Sequence, residues 1–230
     1  MERSILVCGA PSAGGGAAAD WAEDEARLRG LPLRVDHGGQ PDLNGARTAV
    51  MAVTGLSPED AVAGRMPGAA LPTRAGTWTC PLVMVRDGLA RPSRGGGVTL
   101  GVDARDPADA AIGFAFDSAR LRGVRLHVVH AWALPSCAAE LPFGVPEADR
   151  ATWEDHEVQL LADVLRPWRA KYPDVPVLED VVLFGPSHAL LHHAADAALV
   201  VVGHRPGAEW GDVVRSLVRD GSCPVAVVPS

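Results

Sequence analysis

The chain has 230 residues, of which 47% are hydrophobic and 21% charged, and its formal net charge is -7. This size and composition are typical of a globular protein with room for two domains of about 100 residues each. The acidic excess disfavours nucleic acid and anionic membranes as partners, because both carry negative charge. No run reaches the roughly 18 apolar residues of a membrane span. We therefore expect a cytoplasmic protein.

Part of the sequence occurs twice. When residues 24–37 are aligned with residues 117–130, nine of the fourteen positions are identical. The segment that begins at Cys80-Pro81 recurs at Cys223-Pro224. A match of this length indicates an internal duplication. We therefore predict a truncated domain over residues 1–86, a linker over 87–97, and a complete domain of the same fold over 98–230.

The second copy alternates short apolar runs with longer segments of helical period. Strands are predicted at residues 98–102, 124–131, 175–184, 198–202 and 224–228. Helices are predicted between them at about 108–121, 147–169, 186–195 and 211–220, and Pro167 is expected to kink or end the second of these. Because strands and helices alternate, we expect a parallel sheet. The wholly apolar fourth strand indicates burial on both faces of that sheet.

The first copy contains fewer elements. Residues 5–9, 31–37 and 48–55 match the first, second and fourth strands of the complete copy. The long helix, the third strand and the short helix have no counterpart there. The predicted fold class is therefore α/β, with two open parallel sheets, each flanked by helices, of which the first is reduced.

Ligands of open parallel sheets bind beyond the carboxyl ends of the strands. In the complete copy, the first strand ends at Asp103, the second at Ala131, and the fourth is followed by the loop 203–213. These three places meet at one edge of the predicted sheet. The candidate binding residues are Asp103, Ala131, Val202, Gly203, Gly207, Gly211, Asp212 and Val213.

The second copy resembles the universal stress protein domain. The resemblance is carried by Gly101-Val102-Asp103-Ala104, by residues 119–123 with their sequel His130-Ala131-Trp132, by Val200-Val201-Val202-Gly203, and by residues 222–228. In reduced form it extends over residues 4–86, so the whole chain resembles a tandem member of that family. The resemblance implies a Rossmann-like fold of the adenine nucleotide alpha hydrolase type.

Some members of that family hold ATP, and these carry a glycine after the fourth strand, a second three residues on, and a third ten beyond that, followed by Ser or Thr. Glycines and a helix start then direct backbone N–H groups at phosphate oxygens. Here Gly203 and Gly211 are eight positions apart instead of thirteen. Pro206 stands at the second glycine with Gly207 beside it, and Asp212 replaces the hydroxyl.

These departures disfavour a triphosphate. Pro206 offers no N–H, and a carboxylate at Asp212 would repel phosphates by on the order of 1 to 4 kcal/mol per close charge pair. The first copy departs differently, since Ala69 lacks the hydroxyl and Ala10 replaces the acid found at Asp103. Neither copy is expected to be an intact ATP site.

Two acidic residues have more than one interpretation. Asp103 either fixes a ribose or adenine edge, as the resemblance implies, or caps the helix that follows it. Asp212 is interpreted as capping or beginning the last helix.

No metal or catalytic centre is predicted. His188 and His192 have the spacing of two ligands on one helical face, but no third ligand is evident. No G-x-S-x-G nucleophile motif occurs. The four dispersed cysteines form no C-x-x-C pair and are interpreted as buried reduced thiols.

The sequence therefore predicts a non-enzymatic, universal stress protein-like binding protein that acts in a stress response with impaired ATP binding. No cofactor is expected, although the binding of ATP or AMP to the second domain is left open. The alternative is an adenine-nucleotide binder or weak ATPase that uses the second domain. An unidentified protein is the expected partner. In related domains, strands such as those after Cys80-Pro81 and Cys223-Pro224 commonly pair, which implies an intramolecular pseudo-dimer; a further homodimer stays open.

Overall fold

Nine strands and six helices are described in the computed structural model, which covers residues 3–8, 15–36, 49–63, 79–89, 95–135, 138, 145–205 and 209–230. The strands are β1 Ser4–Cys8, β2 Leu33–Asp36, β3 Ala49–Leu56, β4 Leu82–Arg86, β5 Val98–Gly101, β6 Leu126–Ala131, β7 Val177–Val182, β8 Leu199–His204 and β9 Val225–Pro229. The helices are α1 Gly15–Arg29, α2 Pro58–Val62, α3 Asp109–Arg122, α4 Glu147–Lys171, α5 Pro186–His193 and α6 Asp212–Asp220. None of these helices combines the length and apolar character needed to cross a bilayer.

All nine strands form one sheet in the order β2-β1-β3-β4-β9-β8-β5-β6-β7. Neighbouring strands are parallel except β4 and β9, which are antiparallel, with Leu82 opposite Val227 and Met84 opposite Val225. The α/β class and its mostly parallel strands are confirmed, and the two predicted sheets form one because the strands after Cys80-Pro81 and Cys223-Pro224 pair with each other. The two edge strands pair with each other because an unpaired edge would leave backbone N–H and C=O groups without partners.

Apolar layers cover both faces of the sheet. One layer packs strand side chains against α1, α3 and α4, with Phe116, Leu161 and Leu165 fully buried, and the other packs them against α5 and α6. Along β8, Leu199 and Val201 belong to the first layer, and Val200 and Val202 belong to the second. The predicted burial of this strand on both faces is confirmed.

The long helix α4 does not end at Pro167. It continues to Lys171, within two residues of the predicted end at about residue 169, so only the expectation that the proline would end the helix early is wrong. A proline inside a helix removes one hydrogen bond and costs roughly 3 kcal/mol. Beyond it, however, the rings of Trp168 and Tyr172 lie 6.3 and 5.4 Å from that of Phe116. This packing holds the last turn in place.

Three of the cysteines are buried and reduced, as predicted. They are Cys8, Cys80 and Cys223, and none forms a disulfide. Burial raises the pKa of these thiols to about 12, 11 and 12 respectively, because a thiolate would lose its hydration. Cys137 lies outside the described residues.

The segments that match in sequence also contact each other. The buried carboxylate of Glu25 on α1 accepts hydrogen bonds from Arg29, at 2.5 Å, and from Arg122 on α3. Arg29 in turn donates to Asp117 at 2.9 Å and to Ser118 at 3.2 Å. The alignment makes Arg29 equivalent to Arg122 and Glu25 equivalent to Ser118, so the contact is reciprocal. Reciprocal contacts of this kind are typical of two-fold interfaces.

Glu25→Ala is expected to lower the free energy of unfolding by about 3 kcal/mol, because it leaves Arg29 and Arg122, only 11% and 14% exposed, without their shared carboxylate. Glu23→Ala on the same helix is the matched control, since its ion pair with Arg27 is largely exposed and is worth less than about 1 kcal/mol. Urea denaturation followed by circular dichroism measures both. Equal losses in the two variants would contradict the buried network.

Candidate functional site

A cavity of about 1070 Å³ lies at the carboxyl ends of β5, β6 and β8. Six of the eight candidate residues line it: Asp103, Ala131, Val202, Gly203, Gly211 and Val213. Asp212 is not among the lining residues, although both of its neighbours are. Gly207 lies outside the described residues, as does Pro206. The structure therefore brings together most of the predicted site.

Strand register explains this convergence. Gly101 on β5 pairs with Val129 on β6 and with Val202 on β8. Asp103 and Ala131 each follow these aligned positions by two residues, and Gly203 follows by one. The three predicted segments consequently reach the same level above the sheet, as expected for neighbouring parallel strands.

Asp103 closes a turn at the mouth of the cavity. Its side chain is exposed, and its Oδ1 accepts the backbone N–H of Arg105 at 3.0 Å. Helix α3 begins only at Asp109, where Ala108 is the N-terminal flanking residue and no side chain caps the helix. The interpretation of Asp103 as a helix cap is therefore wrong. The residues between it and α3 form a separate turn, in which a carboxylate commonly accepts from the backbone two residues on.

A buried network supports this turn from below. Nε2 of His130 lies 3.0 Å from Oε2 of Glu157, and both side chains are 2% exposed. Nδ1 of His130 lies 3.4 Å from the backbone nitrogen of Ala104 and 3.2 Å from the carbonyl oxygen of Val102. Glu157 also accepts a hydrogen bond from Arg105. A strand end and the long helix therefore jointly fix the backbone that carries Asp103.

The sequence interpretation missed Glu157. This residue belongs to the apolar stripe of α4, four and eight residues before Leu161 and Leu165, and all three are buried. A carboxylate at such a position indicates a buried polar contact, because a buried charge requires a partner.

Trp132 was also missed as a site residue. It lines the cavity and is 5% exposed, and its indole Nε1 has no hydrogen-bond partner in the part of the chain that the structure describes. Buried donors are normally paired, so this N–H is available to a bound acceptor.

The loop after β8 is short. Since β8 extends to His204, only residues 205–211 connect it to α6. A Cβ atom at Gly203 would lie 2.6 Å from the Cβ of Ala108, so this glycine lets β8 approach the start of α3. Around Gly211, by contrast, a Cβ would meet no atom of the described residues within 4 Å. Close packing therefore requires a glycine at 203 and not at 211.

The arginines of the cavity are already paired with carboxylates. Arg205 forms an ion pair with Asp106, and Arg105 forms one with Glu157. Asp103 and Glu209 also line the cavity and contribute further negative charge. An anionic ligand would thus be repelled by the acidic side chains, while the nearby arginines are already paired with carboxylates.

Asp212 stands at the first position of α6, and Gly211 flanks it without a side-chain cap. The interpretation that Asp212 begins this helix is confirmed, whereas its side chain does not cap the helix. A carboxylate here interacts favourably with the positive end of the helix dipole. The same field would also attract a phosphate near the start of this helix.

Gly203→Ala is expected to lower the free energy of unfolding by about 1 to 3 kcal/mol, because the new methyl group would overlap Ala108. Gly211→Ala, made in the same loop, should cost only about 0.5 kcal/mol, since its surroundings are open. Thermal and urea unfolding measure the two effects. A loss in Gly211→Ala as large as that in Gly203→Ala would refute the packing explanation.

Comparisons with known proteins agree with this architecture. Residues 97–229 match the model of the Universal stress protein family. The universal stress protein Rv1996 of Mycobacterium tuberculosis is 33% identical over 199 residues, a match that covers 80% of this chain and 60% of that protein. Rv2005c of the same organism is 32% identical over 189 residues, which cover 78% of this chain and 61% of that protein. The chain thus spans about three fifths of these relatives.

A solved universal stress protein from Archaeoglobus fulgidus superposes with a TM-score of 0.59 at 14% identity, covering 99% of this chain and 88% of that one. This likeness shows a common fold. The family match covers more than half of the sequence and includes every strand that surrounds the cavity. The chain belongs to the universal stress protein family.

Proposed function

We propose that the chain is a non-enzymatic stress-response protein of the cytoplasm, which acts by binding another molecule or a protein partner and whose ATP binding is impaired. Membership of the family supports the role in stress. The observation that carries the proposal is the charge of the cavity. Its two arginines are paired with carboxylates, and Asp103 and Glu209 add negative charge to its lining.

A triphosphate would encounter three obstacles at this site. Each carboxylate close to a phosphate opposes binding by about 1 to 4 kcal/mol at the dielectric of a protein surface. Asp212 places a carboxylate in the first turn of α6, between the lining residues Gly211 and Val213. A phosphate that drew Arg105 towards itself would remove a partner from the buried carboxylate of Glu157, whereas the exposed pair of Arg205 with Asp106 is worth less than about 1 kcal/mol. Together these terms favour a neutral ligand, or one with few charges.

A second candidate is an adenine nucleotide with fewer phosphates, such as AMP, or weak ATPase activity on the same site. The specific observation in its favour is that Asp103, Ala131, Val202 and Gly203 surround one cavity. Its volume of about 1070 Å³ is ample for a nucleoside, since small-molecule sites usually enclose roughly 300 to 1,000 Å³. The unpartnered N–H of Trp132 adds a donor for such a ligand.

We also propose that the two copies act together as an intramolecular pseudo-dimer. The antiparallel pairing of β4 with β9 and the reciprocal contacts of Glu25 with Arg122 and of Arg29 with Ser118 support this arrangement. The copies would then reproduce, within one chain, an interface that separate chains of related proteins form.

The proposal predicts that affinity decreases as the number of phosphate groups on the ligand increases. Isothermal titration of nucleotide-stripped protein, with Mg²⁺ present, should give ATP at least about tenfold weaker binding than adenosine or AMP, which corresponds to one unfavourable charge pair. Added salt should narrow this difference, because it screens the repulsion. Micromolar ATP binding that disappears in Asp103→Ala would falsify impaired ATP binding and favour the second candidate.

Asp212→Ser is expected to strengthen ATP binding about tenfold, because it removes a carboxylate from the start of α6 and supplies a hydroxyl. Asp220→Ser, at the opposite end of the same helix, is the matched control and should leave the affinity unchanged. Titration of both variants with ATP measures the effect. If the two variants bind ATP equally, Asp212 is not what impairs triphosphate binding.

A further inference from the structure

Three potential metal ligands from three elements meet where α5 packs on the sheet. His127 is the second residue of β6, Asp180 the fourth of β7, and His193 the last of α5. Nε2 of His127 lies 2.6 Å from Oδ2 of Asp180, and Nδ1 of His193 lies 3.5 Å from the same oxygen. One ligand atom from each residue lies within 4.8 Å of the other two.

Regular backbone pairing positions these groups. In the parallel ladder of β6 and β7, His127 is opposite Leu178, so Asp180 is two residues further along and on the same face of the sheet. The end of α5 is tied to β5, because the carbonyl of His193 accepts a hydrogen bond from Thr99 Oγ1 at 3.4 Å. Ligands held by strands and a helix end need little reorganisation to bind an ion.

The donor set is suited to a first-row transition metal. Imidazole nitrogen and carboxylate oxygen are both Zn²⁺ ligands, and three protein ligands leave a fourth position for water or a small molecule. In tetrahedral geometry with bonds of about 2.0 to 2.1 Å, ligand atoms lie roughly 3.3 Å apart. The observed 2.6 and 3.5 Å separations, and the 4.8 Å upper limit for the remaining pair, lie around this value, so small adjustments of the side chains would suffice.

Charge and access agree with this chemistry. Within the described ranges, the carboxylate of Asp180 contacts the two imidazoles and no arginine or lysine. The side chains of His127, His193 and Asp180 are 15%, 22% and 35% exposed, so an ion can reach them from solvent. A divalent cation would supply the positive charge that this carboxylate lacks.

We propose that His127, Asp180 and His193 bind one divalent transition-metal ion, with Zn²⁺ as the test ion. None of the three residues lines the ligand cavity, although Val129, which is opposite Asp180 in the ladder, does. The site also differs from the pair His188 and His192 that the sequence suggested. Its ligands come from distant parts of the chain and only the fold unites them.

Zinc titration of the full-length, tag-free and chelator-treated protein tests the proposal. Isothermal titration should show one tight Zn²⁺ per chain. His127→Ala, His193→Gln and Asp180→Asn should each weaken this binding at least about tenfold. His156→Ala is the control, because His156 is exposed on α4 and remote in sequence from the cluster, and it should bind Zn²⁺ like the parent protein.

Two further readouts distinguish a metal site from a structural hydrogen bond. Bound Co²⁺ should give the intense visible bands of tetrahedral coordination, and these should be absent in Asp180→Asn, which retains the shape of the side chain. Zn²⁺ should raise the Tm of the parent protein but not of this variant, since a ligand that binds only the folded state stabilises it. Absence of a tight site, or parent-like affinity in Asp180→Asn or in the double variant of His127 and His193, would overturn the proposal.

Discussion

Three residue pairs between β4 and β9 make the nine strands a single sheet: Leu82 with Val227, Val83 with Ala226, and Met84 with Val225. All six side chains are buried, and they belong alternately to the apolar layers on the two faces. Both layers therefore continue across this junction. Without it, each half would expose an apolar strand edge, which is a site for aggregation. The cavity lies close to the same junction, because β8 pairs with β9 on one side and with β5 on the other.

Local patterns predicted most strands, since a short apolar run between turn residues is determined by its own side chains. They failed where distant contacts decide the outcome. The proline rule alone would end α4 at Pro167, but the rings of Trp168 and Tyr172 stack on Phe116 and keep the helix intact. Similarly, no local pattern reveals that the edges of two predicted sheets will join. The resemblance to the universal stress protein domain, in which such strands commonly pair, implied that the strands after Cys80 and Cys223 would join.

The site shows the same division. Asp103, Ala131 and Gly203 could be predicted together, because the carboxyl ends of neighbouring parallel strands always meet at one edge. The support beneath them could not be predicted, since His130 and Glu157 are 27 residues apart. The same is true of the other cluster, in which His127 and Asp180 are 53 residues apart. Strand register and helix packing, which the sequence does not state, create these contacts. The one sequence feature that indicates such a buried contact is a carboxylate within the apolar stripe of a helix.

The double engagement of Glu157 has a consequence for selectivity. Its carboxylate is shared by an exposed guanidinium and a buried imidazole. A ligand that attracted Arg105 would leave the buried carboxylate of Glu157 with His130 as its remaining partner. The loss of the ion pair would lower the affinity for that ligand. The protein would thus bind anionic ligands less tightly than neutral ones, because its arginines are already paired with carboxylates, although they line the cavity. A ligand of any size that does not move Arg105 would not lose binding free energy in this way.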